Sequence, residues 1–288
     1  MENPTIDCNR VKKILVEFIK KRMENSGFQR AVLGLSGGID STVVAYLAVE
    51  ALGDPHRVYA LILPYKSYQS QSVKDARLIV KKLRINSQII RIDPMIEEYF
   101  RKFSYKRIPH HAVPGGESSQ VKTLEYLRKG NKMARERMSI LYDWSLSLRA
   151  LVLGTSNKTE LSMGYFTKYG DGGVDLEPLG DLYKTQVKQL AKYLGVPQPI
   201  INRCPSAGLW PGQTDEKELG INYEELDKIL YCMLEKKYSI KKLLTLGFSI
   251  ENIEKVKNFI KRSEHKRRMP PVAKLTLSTT KVGRFSSG

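Results

Sequence analysis

Ala31-Val32-Leu33-Gly34-Leu35-Ser36-Gly37-Gly38-Ile39-Asp40-Ser41-Thr42 is an apolar run that stops in a Ser-Gly-Gly turn and restarts as a helix. Residues 31–35 have the length and composition of a strand buried on both faces, and residues 43–52 continue with a helical apolar pattern. Glycine has no Cβ, so Gly37 and Gly38 can take positive φ and bring backbone N–H groups close to an anion. The helix N-terminus behind them adds partial positive charge. Ser36, Ser41 and Thr42 offer hydroxyls to phosphate oxygens, and Asp40, which would repel a bare phosphate, fits beside a bound Mg²⁺. The turn therefore reads as a phosphate site. On the glycines alone, a tight turn closing a βα unit is the plainer alternative; the string has neither the Lys of a Walker loop nor the third Gly of a dinucleotide fingerprint.

Upstream, residues 11–23 place Val11, Ile14, Leu15, Phe18 and Ile19 at helical spacing. Downstream, residues 57–63 and 87–92 read as strands with a helix over 73–83 between them, and residues 150–153 read as a fourth strand. This alternation predicts an α/β fold: a doubly wound parallel sheet of about five strands with flanking helices. C-terminal helices follow at 223–235, 240–246 and 250–263. Residues 1–264 are assigned to a single domain, and residues 265–288 to a basic loop and tail whose Pro270 and Pro271 bar a helix. Residues 97–120 lose periodicity and read as a loop; its His110-His111 pair shares no face and has no partner cluster, so no metal role is assigned. Residues 124–148 form a long helix in which Arg135 and Arg137, two apart, cannot share a face.

The fourth strand runs into Gly154-Thr155-Ser156-Asn157-Lys158-Thr159-Glu160. Ligands of an open α/β sheet collect at the carboxyl ends of its strands, so this turn should lie beside the Ser-Gly-Gly turn. Asp40 and Glu160 would then offer oxygens to Mg²⁺, which draws its other ligands from water and substrate phosphates. The alternative for Glu160 is a helix N-terminal residue favoured by the dipole. Residues 165–185 are too rich in glycine and charge for a core element and read as a binding loop, or else a turn-rich hairpin. Lys168 and Lys184 are its candidate anion clamps; Asp171 and Asp175 are candidate acceptors for ammonium or ribose hydroxyls. Residues 203–216 read as a connector.

The chain has 288 residues, enough to bury about three quarters of its unfolded surface, and 41% hydrophobic content. No apolar window approaches the ~20 residues of a membrane span, and residues 1–7 lack the pattern of a secretory signal. Cys8, Cys204 and Cys232 are widely separated, which argues against disulfides or zinc and for a reducing cytoplasm. The net charge of +18 suits nucleic acid as well as small polyphosphates. Solvated helix faces explain most of it, since the basic residues are spread in doublets.

Five segments then occur together: 36–41 (Ser-Gly-Gly-Ile-Asp-Ser), 154–160, 166–173 (Phe-Thr-Lys-Tyr-Gly-Asp-Gly-Gly), 205–215 (Pro-Ser-Ala-Gly-Leu-Trp-Pro-Gly-Gln-Thr-Asp) and 265–271 (His-Lys-Arg-Arg-Met-Pro-Pro). The first resembles the SGGxDS loop of the N-type ATP pyrophosphatases, whose fold is adenine nucleotide alpha hydrolase-like. The whole series, in this order, resembles the NAD⁺ synthetases over nearly the full length. The resemblance implies a homodimeric ligase that amidates deamido-NAD⁺ (nicotinic acid adenine dinucleotide) with ammonia, free or supplied by a separate amidotransferase subunit, using ATP and Mg²⁺ and passing through an adenylate. It implies that Ser36, Gly37, Gly38, Ser41, Thr155, Lys184 and Ser206 contact ATP, and that Asp40 and Glu160 hold Mg²⁺. Asn131, Arg137, Lys168, Asp171, Asp175, His265 and Lys266 would bind deamido-NAD⁺, with Asp171, Lys168 and Lys184 serving the chemistry. Two features depart from some members: Ile62 stands where they carry Arg, leaving Gln69 as the only candidate contact nearby, and there is no room for a glutaminase domain. A tRNA-modifying ATP pyrophosphatase is the alternative; such thiolases need cysteines, and here all three lie outside the phosphate motifs. No nucleic-acid or membrane partner is expected.

Overall fold

The computed structural model describes residues 4–66, 70–103, 118–206, 208 and 213–273. The elements run α1 (Cys8–Ser26), β1 (Arg30–Gly34), α2 (Ile39–Leu52), β2 (Val58–Ile62), α3 (Gln71–Leu83), β3 (Asn86–Ile89), α4 (Asp93–Lys102), α5 (Ser118–Leu148) and β4 (Ala150–Leu153). After β4 come α6 (Lys158–Met163), α7 (Lys184–Tyr193), α8 (Gln198–Ile201), α9 (Asp215–Leu219), α10 (Tyr223–Leu234), α11 (Ile240–Thr245) and α12 (Ile250–Arg262), then a 3₁₀ turn over Glu264–Lys266. None of the described helices is long and apolar enough to cross a membrane.

The sheet order is β3-β2-β1-β4, all parallel, with Val32 opposite both Tyr59 of β2 and Val152 of β4. Successive strand residues face opposite sides. Ala31 and Leu33 pack with α1, α2 and α7, while Val32 and Val152 pack with Ile96 of α4 and Met133 of α5. Cover on both faces explains why β1 is apolar throughout rather than alternating. The chain moves outward from β1 through β2 to β3, then crosses back to lay β4 on the other side of β1. The point where the direction reverses lies between β1 and β4, the crevice that open α/β sheets use for ligands.

Four strands are present among the described residues, against the five expected; a single parallel bridge, Leu153 to Leu176, continues the sheet beyond β4. The irregular segment expected at 97–120 is helical as far as Lys102, because Ile92 and Ile96 seat α4 in the core. Helix α5 starts at Ser118, six residues before the predicted start; His110-His111, Gln69 and the tail from 274 fall outside the described residues. The loop at 165–185 is turn-rich as expected, yet it is not all surface: Leu179, Leu182 and Tyr183 are buried. Tyr183, with Met163, joins a second hydrophobic cluster built mainly from Leu226, Ile229, Leu230 and Val256 of the C-terminal helices.

Candidate active site

The turn after β1 is shaped by two glycines. Gly37 has φ +78, and a Cβ there would stand 2.2 Å from the Ser72 carbonyl oxygen, so only glycine lets the turn lie against α3. Gly38, in contrast to the expectation of positive φ there, is extended at φ −81 and caps α2 without a side chain. The hydroxyls hold the turn's own backbone: Ser36 and Ser41 Oγ lie 3.0 Å apart, Gly38 N–H donates to Ser36 Oγ at 3.2 Å, and Thr42 Oγ1 donates to the Gly38 carbonyl at 2.8 Å. Thr42 is fully buried, which removes it from the phosphate donors. Behind the turn, Arg203 donates to the Gly37 carbonyl at 3.2 Å and pairs with the buried Asp75 of α3.

The turn after β4 arrives beside it, as the strand-end argument required. Asn157 caps α6: its Oδ1 accepts Glu160 N–H at 3.0 Å, while Glu160 Oε2 accepts Asn157 N–H at 3.2 Å. The side-chain amide of Asn157 reaches across to donate to Asp40 Oδ1 at 3.0 Å. Lys184, at the start of α7 and only 6% exposed, sends its ammonium between the two carboxylates, 2.6 Å from Asp40 Oδ2 and 3.2 Å from Glu160 Oε1. Burial works against the charge on Lys184, but Asp40 and Glu160 more than offset it and hold the ammonium above its usual pKa. Burial pushes the Glu160 carboxyl above its usual range, opposed by Lys184 and reinforced by Asp40 and Asp215.

The second group of candidates gathers around Asp171. This residue is exposed to solvent. Desolvation raises its carboxyl above the usual range against the pull of Thr167 N–H at 2.8 Å, Lys266 and Arg137. Asn131 Oδ1 accepts from Thr167 Oγ1 at 2.8 Å, and Arg137 Nε donates to the Leu63 carbonyl at 3.0 Å. Lys266 donates to the Gly164 and Phe166 carbonyls at 2.7 and 2.8 Å, and Lys168 to the His265 carbonyl at 2.8 Å, so the 265–266 segment is latched onto the 164–168 turn.

Two predicted residues have other engagements. Asp175 accepts Val152 N–H at 2.8 Å and the Tyr142 hydroxyl at 3.0 Å, which ties the loop to the free edge of β4. Ser206 donates to the Gln213 carbonyl at 2.7 Å and so closes its own loop. Thr155 sits half-buried on the β4 turn. Sequence reasoning missed Asn157, Glu177 and Asp227. The Asn-x-x-Glu spacing of a capping box was available for Asn157. Glu177 lies so close under Gly154 that a Cβ there would meet its carboxyl carbon at 2.4 Å; its Oε2 accepts Ser156 N–H at 3.1 Å, while its Oε1 is buried without a hydrogen-bond partner among the described residues. Burial lifts it to about 8, with Glu160 and Asp171 adding to the shift.

The arrangement offers a glycine turn at a helix N-terminus, two carboxylates sharing one cation, and a further carboxyl, Asp171, with Arg137 and Lys266 near it. It suits a polyphosphate and a second, anionic substrate. The NAD synthase family model matches residues 11–270. The NH(3)-dependent NAD(+) synthetase of Fusobacterium nucleatum is 44% identical over 275 residues, covering 96% of this chain and 99% of that protein. Among solved structures, NMN synthetase from Francisella tularensis superposes with TM-score 0.77 at 36% identity, covering 94% of this chain and 100% of that one. The NH3-dependent NAD synthetase from Campylobacter jejuni gives TM-score 0.75 at 30% identity, covering 93% and 100%.

Proposed function

Since this chain belongs to the NAD synthase family, we infer that it amidates deamido-NAD⁺ with ammonia at the expense of ATP, giving NAD⁺, AMP and pyrophosphate. The observation that carries the reading is the meeting of Asp40, Glu160 and Lys184 at the strand ends beside the Ser36–Gly38 turn. A carboxylate is a poor acyl donor, so its oxygen first attacks the α-phosphorus of ATP and pyrophosphate leaves. Lys184 offsets the charge that spreads over the phosphate oxygens in that step, in a position preset by its two carboxylates. The N–H groups of the turn and of α2 hold the departing pyrophosphate.

The pair Asp40 and Glu160 fits Mg²⁺: the position between them already accommodates a cation, the Lys184 ammonium, and Mg²⁺ is commonly held by one or two carboxylates plus substrate phosphates. When bound, the ion supplies Lewis-acid polarisation of phosphate oxygens. Asp171 holds ammonium and takes up one of its protons; ammonia then attacks the acyl carbon, the C–N bond forms as the C–O bond to AMP breaks, and the second nitrogen proton leaves with the departing AMP phosphate. Lys168, Arg137 and Asn131 orient the dinucleotide, with His265 and Lys266 closing over it and excluding water. Thr155 and Ser206 flank the nucleotide, and Asp175 supports the substrate loop. The proposed assembly is a cytoplasmic homodimer; exposed Tyr99, Phe103, Tyr126 and Leu127 of the α4–α5 region support a self-association face.

Purified protein with ATP, Mg²⁺, ammonium and deamido-NAD⁺ is expected to release NAD⁺, AMP and pyrophosphate in equal amounts. ADP as product, or a requirement for tRNA, would overturn the assignment. Because the structural neighbour from Francisella tularensis is an NMN synthetase, nicotinic acid mononucleotide belongs in the same assay; faster turnover of it than of deamido-NAD⁺ would shift the substrate while keeping the chemistry.

A further inference from the structure

The C-terminal helices reach the site from behind. Ser263, at the end of α12, presses so closely on Gly164 that a Cβ there would lie 2.0 Å away, and Arg267 donates to the Leu161 and Ser162 carbonyls of α6 at 3.2 and 3.0 Å. The deepest contact is made by Asp227 of α10, which is fully buried. Its Oδ1 accepts from Thr159 Oγ1 at 2.5 Å and its Oδ2 accepts Thr185 N–H at 2.7 Å. Thr159 Oγ1 in turn accepts Lys184 N–H at 3.0 Å. The first two N–H groups of α7, which have no partner inside a helix, thus end on one carboxylate, one directly and one through a hydroxyl. The other end of the same lysine lies over the ring of Tyr223, also on α10, at 5.3 Å.

We propose that Asp227 is a positioning residue for adenylation: it fixes the backbone of Lys184, and with it the place of the ammonium between Asp40 and Glu160. A carboxylate is the side chain this job requires. The groups that approach it, the Thr159 hydroxyl and the N–H and hydroxyl of Thr185, can all donate. An asparagine would turn a donor toward one of them, and an apolar residue would leave a buried N–H and a buried hydroxyl unpaired. The proposal rests on the role of Lys184 given above.

A double-mutant cycle on ATP–pyrophosphate exchange tests it, with Asp227→Asn, Lys184→Met and the pair. Asp227→Asn is expected to lower kcat by roughly 30-fold while KM for ATP changes by less than about threefold, because position rather than binding is lost. The double variant should be within about threefold of Lys184→Met alone. Losses that multiply, or unimpaired kcat in a folded Asp227→Asn, would overturn the proposal. Should Asp227→Asn not fold, Thr159→Val, which removes only the bridging hydroxyl at nearly constant volume, enters the same cycle with an expected loss of about tenfold. Full activity of Lys184→Met would sink the role of the lysine and this proposal together; multiplying losses sink this proposal alone.

Discussion

Lys184 shows why a buried cation here is a device of position. Two carboxylates stabilise its charge and also fix its head to within a hydrogen-bond length, so little rearrangement is left for the moment at which charge moves. Glu177 presents the opposite case, a half-buried acid with no cation paired to it among the described residues. Its carboxyl rises from an ordinary 4.5 to about 8, so the folded chain keeps a proton that the unfolded chain gives up. The resulting stabilisation is complete below the unfolded pKa and is lost as pH rises through the folded one. Melting temperature should therefore fall between pH 6 and pH 8.5 in the native sequence, with the raised carboxyls of Glu160 and Asp171 adding to the fall, and Glu177→Gln should remove the share of Glu177, a difference of ~2 kcal/mol or roughly 5 °C. Parallel melting curves for the two proteins across that range would refute the assigned environment. Asp40 and Glu160 were legible in the sequence because each follows a strand and opens a helix, a local pattern. Glu177 and Asp227 were not, since their partners Ser156, Thr159 and Thr185 lie 21, 68 and 42 residues away and nothing near them marks the pairing.

At the level of elements, the strands that carry the site were readable from uninterrupted apolar runs bounded by breakers, and β1, β2 and β4 lie where those runs predict. The absence of a fifth strand among the described residues has a physical cause. Residues 174–176 run beside β4, but Asp175 turns its side chain onto Val152 N–H, so a carboxylate takes the place of part of the ladder. Helix α4 escapes a sequence reading because its apolar face, Ile92 and Ile96, is short and followed at once by charge. The segment after α12 reads from sequence as tail, yet Lys266 and Arg267 are bound to four carbonyls over residues 161–166. Ending the chain after Ser263 should consequently raise KM for deamido-NAD⁺ by about tenfold or more, with KM for ATP moved less, as follows from losing a cover over one substrate only. Steady-state kinetics with each substrate varied in turn would check this, and an equal rise in both constants would contradict it.

For the whole molecule, the sheet and the C-terminal helices meet on α6 and α7. The charge of +18 that left nucleic acid open on composition would equally attract ATP and a dinucleotide, both anions, at long range. Raising ionic strength from roughly 0.05 to 0.3 M should increase both KM values by a few fold and leave kcat nearly constant, as screening weakens encounter but not the short contacts inside the site. A kcat that falls in step would argue that the field acts on the chemistry instead. The bridge from Asp40 through Lys184 to Glu160 carries one last consequence, for the order in which ligands associate. A divalent ion arriving alone must share two carboxylates with an ammonium already seated between them, and it gives that ammonium no new partner. A polyphosphate arriving with the ion supplies one. With the proposed Mg²⁺ site at these carboxylates, the two ligands would be thermodynamically linked, each tightening the other by the same factor, and metal and nucleotide are expected to enter as a single unit.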